Sequence, residues 1–339
     1  MKLSDFDFPF DPALVALQPV HPRDRARLLV LGRTAGTLAH RSVADLPELL
    51  KPGDLLVVND TRVMAARVPG IKKSTGKPVE VLFVKDLGDR RWEILVKGAF
   101  RVGQVIEFNQ QFSAAIVKRD ATGTEAVVQS SVPITQLFDE RGLMPLPPYI
   151  KRVPTQEDHQ WYQTVFAKRE GAIAAPTAGL HFTEELFQRL RDVSINVATV
   201  TLHVGPGTFK PVTTERIEDH QMGGEVFHVS EDTAKVIVET KRAGGRVVAV
   251  GTTVVRTLET VMKEKGEMVP LSSESRLFIT PGFEFKIVDA MVTNFHLPKT
   301  TLLMLVSAFS GIHHIRGAYE EAVKERYRFY SYGDAMLIL

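Results

Sequence analysis

Residues 246–263 read RVVAVGTTVVRTLETVMK, and this stretch decides the fold class. The apolar run at residues 246–250 has the length of a buried strand, and the Gly-Thr-Thr after it is a turn. A helical pattern then begins. A strand, a polar turn and a helix in that order form one unit of an α/β sheet. Ligands bind at the carboxyl ends of such strands, and the turn at residues 251–253 follows the carboxyl end of this one.

The same pattern recurs along the chain. Four further apolar runs each end in a polar, Gly- or Pro-bearing turn. A helix is predicted after one of these turns, at residues 184–192. The repetition predicts an α/β fold with a mainly parallel sheet and flanking helices. The runs and their turns are DLLVV (54–58) before NDTR (59–62), GAIAA (171–175) before PTAGLHFT, NVATVTL (196–202) before HVGPGTF (203–209), and AMVT (290–293) before NFHLP (294–298).

Residues 65–150 follow a different pattern. Short alternating runs are separated by turn-rich segments, without intervening helices, which predicts an antiparallel barrel or sandwich. The segment ends in LMPLPPYIKR (143–152), whose prolines indicate a stiff linker. We therefore expect an all-β domain at 65–150, inserted into an α/β domain built from residues 1–64 and 151–339.

Composition excludes several kinds of chemistry. The 339 residues contain no cysteine, so thiolate catalysis, disulfides and cysteine-bound metals are excluded. A net charge of +2 argues against a protein that coats nucleic acid, but it allows a local basic patch. The first residues lack the apolar core of a signal peptide, and the charge-free stretch at 300–315 is too short to span a membrane. We expect a cytoplasmic globular protein without a membrane partner.

Two glycine-bearing turns are candidate ligand sites. In HVGPGTF, Gly205 and Gly207 would let the backbone approach a ligand, although Gly-Pro-Gly is also an ordinary turn. In GTTVVR, the first helical turn with Thr252 or Thr253 and nearby Arg256 suits a carboxylate or phosphate. Simple helix capping is the alternative for this second turn.

Two further turns carry polar side chains. NDTR places Asp60 and Arg62 at a strand end, where they would form either a site or an internal ion pair. TNFHLP places Asn294 and His296 before a helix, and His296 is alternatively a buried, hydrogen-bonded ring. Polar side chains at the ends of parallel strands are candidates for ligand contact.

Four histidines are candidates for chemistry: His181, His203, His220 and His296. His181 closes the small-residue stretch AAPTAGLHFT (174–183), which leaves room for close approach. No HExxH or similar spacing supports a zinc site, so we expect no metal. Neutral hydrogen-bonding or acid–base histidines are the favoured interpretation.

Basic residues suggest where nucleic acid would bind. Lys72, Lys73 and Lys77 form a basic cluster, for which a solvated loop is the alternative. The tail ERYRFYSYGDAM (325–336) alternates Arg326 and Arg328 with four aromatic residues, as in sites that stack single-stranded bases. A C-terminal strand with aromatics packed on one face is the alternative.

Long stretches of the chain resemble the S-adenosylmethionine:tRNA ribosyltransferase-isomerase family of queuosine biosynthesis. The resemblance runs from residue 59 to the C-terminus. Two positions depart from the family pattern: Gly223 stands where the family usually has the second histidine of His-x-Met-His, and Lys299 where it commonly has serine. The matching stretches are NDTRVMAAR, LPPYIKR, YQTVFAKREGAIAAPTAGLHFT, TLHVGPGTFKPV, AVGTTVVRTLE, PGFEFKIVDAMVTNFHLPKTTLLMLVSAF and YRFYSYGDAMLIL.

The resemblance implies an α/β domain with an inserted β-barrel. It also implies that the ribosyl part of S-adenosylmethionine, a consumed substrate, is transferred to 7-aminomethyl-7-deazaguanine at the tRNA wobble position. Adenine and methionine leave, and an epoxycyclopentanediol product forms. The competing classes are a non-catalytic tRNA-binding module and a metal-dependent nucleotide hydrolase. We expect a monomer.

The implied chemistry assigns roles. A base must remove a ribose C5′ proton next to the sulfonium, and departing adenine needs a proton or hydrogen-bond donor. We expect His181, His203 or Asp60 in these two roles, and Lys72, Lys73, Arg326 and Arg328 on tRNA. The expected substrate contacts are Arg62, Thr177, Gly179, Gly205, Gly207, Thr208, Thr252, Thr253, Arg256, Asn294 and His296.

Overall fold

The computed structural model describes residues 1–120, 123–205 and 212–339. Its main parts are a nine-stranded sheet and a closed six-stranded barrel. Hydrophobic cores lie on both faces of the sheet. The expected fold class, an α/β sheet with flanking helices plus an all-β barrel, is confirmed.

The described elements have the following bounds. The strands are β1 (Arg27–Leu31), β2 (Leu38–Ser42), β3 (Leu55–Asn59), β4 (Thr61–Val63), β5 (Arg67–Lys72), β6 (Lys77–Asp86), β7 (Arg91–Val96), β8 (Val105–Glu107), β9 (Ser113–Asp120), β10 (Gly123–Gln129), β11 (Arg169–Ala172), β12 (Asn196–Leu202), β13 (Glu225–Val229), β14 (Val247–Val250), β15 (Leu271–Ser275), β16 (Ala290–Asn294) and β17 (Ala335–Ile338). The α-helices are α1 (Leu46–Leu49), α2 (Ile134–Arg141), α3 (Asp158–Trp161), α4 (Glu184–Asp192), α5 (Glu231–Arg242), α6 (Thr252–Lys265), α7 (Thr301–Ser310) and α8 (Ile312–Lys324). None of the helices in the described ranges is long and apolar enough to cross a membrane.

The large sheet is parallel at its centre and mixed overall. Its order is β15-β13-β12-β3-β14-β16-β17-β1-β2. The central strands β12, β3, β14 and β16 run parallel, and antiparallel pairs flank them on both sides. Every residue of β3, β14 and β16 is buried, as expected for strands covered on both faces.

Alternation along β3 separates the two cores. Leu55 and Val57 belong to the core that also contains apolar residues of α5 to α8. Leu56 and Val58 belong to the core on the opposite face, with Leu186 of α4. Because α6 follows β14 and α7 follows β16, the first turns of both helices lie at the carboxyl edge of the parallel strands.

The barrel closes in the order β10-β7-β6-β5-β8-β9. Phe83 and Trp92 lie in its core, with ring centroids 5.7 Å apart. Phe138 of α2 packs against both rings, at 5.4 and 5.9 Å, so this helix contributes to the barrel core. The barrel strands lie within the range we expected, while the division into domains at residues 64/65 and 150/151 stays a prediction.

One predicted strand differs from the structure. Residues 171–175 were expected to form a strand of the main sheet, but β11 ends at Ala172 and pairs with β4 in a separate two-stranded sheet. Gly171 has φ of +139°, and the pairing register shifts between Glu170 and Ala172. The irregular backbone therefore ends the pairing before the small-residue stretch begins.

The aromatic residues of the C-terminal tail are interior. Tyr327, Phe329, Tyr330 and Tyr332 are all buried. Phe329 packs 5.0 Å from Phe295, which belongs to the same core. Tyr327, Phe329 and Tyr332 therefore offer no exposed ring face for the base stacking that the tail pattern suggested, whereas Tyr330 also lines a cleft at the sheet edge.

Candidate active site

A cleft of about 710 Å³, counting the space that is open to solvent, lies at the carboxyl ends of β12, β14 and β16. Ligand sites of open α/β sheets form at this edge. The described lining carries no Asp, Glu, Lys or Arg side chain and is rich in hydroxyl groups and aromatic rings. The lining residues are Tyr149, Ala175, Pro176, Thr177, Ala178, Val204, Gly251, Thr252, Thr253, Thr293, Asn294, Phe295, His296, Leu297, Thr300, Leu302, Tyr330 and Ser331.

The turn after β14 forms one wall of this cleft. Gly251 has φ of +94° and ψ of 154°, a backbone conformation that essentially only glycine adopts. It places Thr252 and Thr253 in the first turn of α6, where both line the cleft. The Thr253 Oγ1 accepts a hydrogen bond from Asn59 Nδ2 at 3.3 Å. Contact of either threonine with a ligand stays a prediction.

Asn294, at the end of β16, is held by three hydrogen bonds. Its Nδ2 donates to the Tyr330 carbonyl oxygen at 3.1 Å and lies 3.0 Å from His181 Nε2. Its Oδ1 accepts from Thr177 Oγ1 at 3.0 Å. Asn294 and Thr177 both line the cleft, whereas His181 lies behind them. The structure thus brings together three of the residues that we selected from the sequence.

Two buried histidines near the cleft are neutral at pH 7. Burial lowers the pKa of His181 to about 4 and the pKa of His296 to about 3. The His296 Nε2 lies 2.8 Å from Thr293 Oγ1, and its backbone N–H donates to Tyr319 Oη at 2.8 Å. A buried, hydrogen-bonded His296 was our alternative interpretation, and it is confirmed; the ring also lines the cleft.

His203 and Asp60 lie beside the cleft rather than in its described lining. The His203 Nδ1 is 2.8 Å from Thr61 Oγ1, and Asp60 Oδ1 accepts from Thr201 Oγ1 at 2.6 Å. Burial lowers the pKa of His203, while the Asp60 charge opposes the shift. His203 is half-buried, and Val204, the next residue, lines the cleft. This ring can therefore exchange protons more readily than the two fully buried ones.

Arg62 and Gly179 occupy supporting positions. The Arg62 Nη2 donates to the Ala167 carbonyl oxygen at 2.6 Å, and Asp60 Oδ1 accepts from Thr201. These two described residues do not form the ion pair that we gave as the alternative. A Cβ at Gly179 would lie 2.6 Å from the Phe166 ring. Gly179 therefore allows close packing against Phe166. Neither Arg62 nor Gly179 belongs to the described lining of the cleft.

Arg256 is committed to a buried ion pair. Its guanidinium binds the Glu225 carboxylate and donates to the Leu277 carbonyl oxygen at 3.2 Å. Glu225 Oε1 also accepts from the Gly205 N–H at 3.2 Å. Neither Arg256 nor Gly205 belongs to the described lining, although Gly205 adjoins Val204, which does. Gly207 and Thr208 lie outside the described residues.

The basic residues predicted to contact tRNA differ in their surroundings. The Lys72 Nζ donates to the Ala99 carbonyl oxygen at 2.7 Å and lies 4.6 Å from the Phe100 ring centroid. Lys73 pairs with Glu107 at 2.8 Å. Because Lys73 is partly neutralised by Glu107, Lys72 is the stronger candidate for a phosphate contact.

The two tail arginines also differ. Arg328 pairs with the buried carboxylate of Asp334 at 3.1 Å. Arg326 is exposed. Arg326 is therefore the one of the pair whose charge is available at the surface, and tRNA contact by either stays a prediction.

A metal site finds no support in the described ranges. No group of three or more His, Cys, Asp or Glu side chains there is placed to hold an ion. His220 packs against Phe278, 5.4 Å away, and does not join the cleft. Of the four histidines that we considered together, His181, His203 and His296 lie at or beside the cleft, and His220 lies apart from it.

Sequence reasoning missed part of the cleft wall. Tyr149, Tyr330 and Ser331 line it, and the Tyr149 Oη lies 2.7 Å from Ser331 Oγ. Tyr149 stood in a stretch interpreted as a linker, and Tyr330 in one interpreted as a base-stacking surface. Both stretches were among those that carried the family resemblance, which was the available signal.

Comparisons with known proteins agree with this architecture. A family described as queuosine biosynthesis protein matches residues 3–338. Proteins named S-adenosylmethionine:tRNA ribosyltransferase-isomerase match the whole chain over their whole length, at 50% identity in Symbiobacterium thermophilum and 47% in Pelobacter propionicus. The crystal structure of the S-adenosylmethionine tRNA ribosyltransferase from Thermotoga maritima covers 99% of this chain and 100% of its own, at 37% identity and a TM-score of 0.58. The chain therefore belongs to the S-adenosylmethionine:tRNA ribosyltransferase-isomerase family of queuosine biosynthesis enzymes.

Proposed function

We propose that the cleft binds S-adenosylmethionine and transfers its ribosyl group, with isomerisation, to 7-aminomethyl-7-deazaguanine at the tRNA wobble position. The products are epoxyqueuosine in tRNA, adenine and methionine. S-adenosylmethionine is consumed in this reaction. Family membership over nearly the full length supports the proposed reaction, and the chemistry of the cleft lining supports the cleft as the place where it occurs.

The observation that carries the proposal is the uncharged, hydroxyl-rich lining at the sheet edge. Thr177, Thr252 and Asn294 offer hydrogen-bonding groups suited to a nucleoside. Tyr149, Phe295 and Tyr330 add aromatic surface on which a base can pack. Aromatic faces also attract a cation, which suits the positive charge of a sulfonium. His296 contributes a neutral ring that can accept or donate one hydrogen bond.

Proton transfer is best supported at His203. The ring is half-buried, it adjoins the cleft through Val204, and Asp60 favours its charged form. A base beside the sulfonium would remove a C5′ proton, and its protonated form could then protonate adenine as it leaves. We assign this role to His203, with Asp60 favouring its charged form. Gly205 would approach the nucleoside from the same strand end, and nucleoside contact by Gly207 and Thr208 stays part of the proposal on sequence grounds.

The remaining substrate contacts follow from their positions. First-turn N–H groups of α6, with Thr252 and Thr253, would bind the methionine carboxylate. Arg256 would affect binding of the substrate only indirectly, because it pairs with Glu225, which in turn accepts a hydrogen bond from the Gly205 backbone. Arg62 and Gly179 would maintain the backbone around the cleft rather than contact substrate.

The barrel offers a surface for tRNA. Lys72 and Arg119 both lie over Phe100, at 4.6 and 5.9 Å from its ring centroid. Each donates to a backbone carbonyl oxygen, of Ala99 and Gly98 respectively. Two cations held side by side attract a phosphodiester backbone. We propose that this surface binds tRNA, with Lys73, Arg326 and Arg328 as weaker contributors.

The reaction is tested by adenine release. S-adenosylmethionine is incubated with tRNA carrying 7-aminomethyl-7-deazaguanine, and with the same tRNA carrying guanine, as the matched control. We expect adenine and methionine in equal amounts with the modified tRNA only. Binding of the modified tRNA without adenine release would instead favour a non-catalytic binding module. Loss of activity on chelation would favour a metal-dependent hydrolase, because we propose no metal.

The setting of the reaction follows from its substrate. We propose that the enzyme works in the cytoplasm on its tRNA substrate, without a membrane partner. We propose that the protein acts as a monomer. We also propose that residues 65–150 form the tRNA-contacting domain and residues 1–64 with 151–339 the catalytic domain. Sedimentation of the protein alone and with tRNA tests the monomer.

A further inference from the structure

The orientation of the Asn294 amide is determined by its neighbours. A backbone carbonyl oxygen can only accept a hydrogen bond, so the atom 3.1 Å from the Tyr330 oxygen must be the Asn294 amide nitrogen. The Thr177 hydroxyl then donates to the amide oxygen on the other side. Asn294 has two N–H groups, and the second lies 3.0 Å from His181 Nε2. Both donors are therefore used within the protein.

This orientation also determines the state of His181. Because an amide N–H faces Nε2, that nitrogen must accept, and the neutral ring carries its proton on Nδ1. A proton added to Nε2 would place two donors against each other. His181 is 4% exposed, so water does not reach the ring freely to deliver one.

The charges around His181 agree with a neutral ring. Arg23 and Arg328 oppose its protonation, and Asp334 favours it. Asp334 is itself paired with Arg328, which weakens its effect on the ring. Arg23 and His181 also line a second, small pocket together. The ring thus has a hydrogen bond to Asn294, which lines the cleft, and a cation nearby that disfavours its protonation.

We propose that His181 is a positioning residue, which holds Asn294 so that its Oδ1 faces the cleft as an acceptor for an N–H group of the bound nucleobase. The inference rests on the proposed function and assigns His181 no proton transfer. Asn294 Oδ1 has a second lone pair beside the Thr177 bond, and Asn294 lines the cleft. The N–H donor is the amino group of adenine or an amino group of the deazaguanine.

The test compares His181→Gln with His181→Ala. Glutamine supplies a carbonyl oxygen that can accept from Asn294 Nδ2, but it cannot carry a proton at neutral pH. We expect His181→Ala to weaken ligand binding about tenfold, which is roughly the effect of one hydrogen bond. We expect His181→Gln to restore most of that loss and to leave the shape of the kcat pH profile unchanged.

Two binding measurements identify the N–H donor. Calorimetry with S-adenosylmethionine alone reports on adenine, and binding of modified tRNA alone reports on the deazaguanine. A loss confined to one of the two identifies the donor, and either supports the inference. Thr177→Val removes the hydroxyl that donates to Asn294 Oδ1, and it should weaken binding of the same ligand. This variant keeps the test valid if His181→Ala does not fold.

Two results would overturn the inference. One is equal loss of kcat in both His181 variants with wild-type affinity for both ligands, accompanied by loss of an ionisation from the pH profile. The other is wild-type affinity and kcat in His181→Ala and Thr177→Val. If wild-type protein itself releases no adenine from S-adenosylmethionine with modified tRNA, the proposed function fails instead. The two failures are therefore distinguishable.

Discussion

Replacement of Gly251 by alanine should separate stability from ligand binding. Gly251 has φ of +94° and ψ of 154°, a conformation that costs a residue with a side chain about 1–3 kcal/mol. A Cβ there would meet Ala178 Cβ at 3.6 Å, which is ordinary contact, so little steric cost is added. The free energy of unfolding should fall by about 1–3 kcal/mol. Each kcal/mol corresponds to roughly 2–4 °C in Tm for a large domain.

Gly266, at the other end of α6, is the matched control. It has φ of +76° and is exposed, with nothing within 4 Å of a built Cβ. Gly266→Ala should lower stability by about 1–2 kcal/mol, because an alanine is disfavoured in the left-handed region that Gly266 occupies. Gly266 does not line the cleft, whereas Gly251 and Ala178 do.

The assay combines urea unfolding with calorimetric titration of S-adenosylmethionine. Both variants should lose stability, but only Gly251→Ala should lose affinity, by about tenfold or 1.4 kcal/mol. Unchanged stability of Gly251→Ala would refute the backbone explanation. Equal affinity in both variants would show that the turn after β14 does not contact the ligand.

Three further predictions concern buried charge, pH and RNA. Arg256→Met should destabilise the fold by about 3–5 kcal/mol in urea unfolding, because it removes the guanidinium from the buried Glu225 carboxylate; full stability would contradict this. Burial lowers the pKa of His181 to about 4 and of His296 to about 3, so below pH 6.5 the unfolded chain binds protons that the folded rings do not. The free energy of unfolding should therefore decrease as the pH is lowered, by about 2 kcal/mol per ring at pH 5. His296→Gln should remove the contribution of one ring. Lys72→Ala should weaken tRNA binding and reduce its salt slope by about 1, and an unchanged slope would exclude a phosphate contact.

The sequence alone predicted most of the elements that build the sheet edge. The apolar runs at 54–58, 196–202, 246–250 and 290–293 correspond to β3, β12, β14 and β16. Burial on both faces requires continuous apolar residues, and that requirement is visible in a single chain. The run at 171–175 failed as a sheet strand because apolar character reports burial, which this stretch has, without reporting a pairing partner.

Site residues were predictable where they belong to these strand ends. Thr252, Thr253, Asn294 and His296 follow β14 and β16 directly, so a general rule about parallel sheets locates them. Tyr149 was not predictable by that rule, because it reaches the cleft from the segment after the barrel. Long-range contacts of this kind leave no periodic signal in the sequence.

The sequence by itself determined the buried parallel strands β3, β12, β14 and β16, the turns that follow them and the family to which the chain belongs. Only the tertiary structure decided the partners of the polar side chains. Arg256 was placed beside a ligand by its sequence neighbours, yet it pairs with Glu225, which lies 31 positions away. His181 was the one proton-carrying group of its stretch, yet Asn294, 113 positions away, requires its Nε2 to accept. A hydrogen bond depends on distance and direction in space, and local sequence specifies neither for residues so far apart.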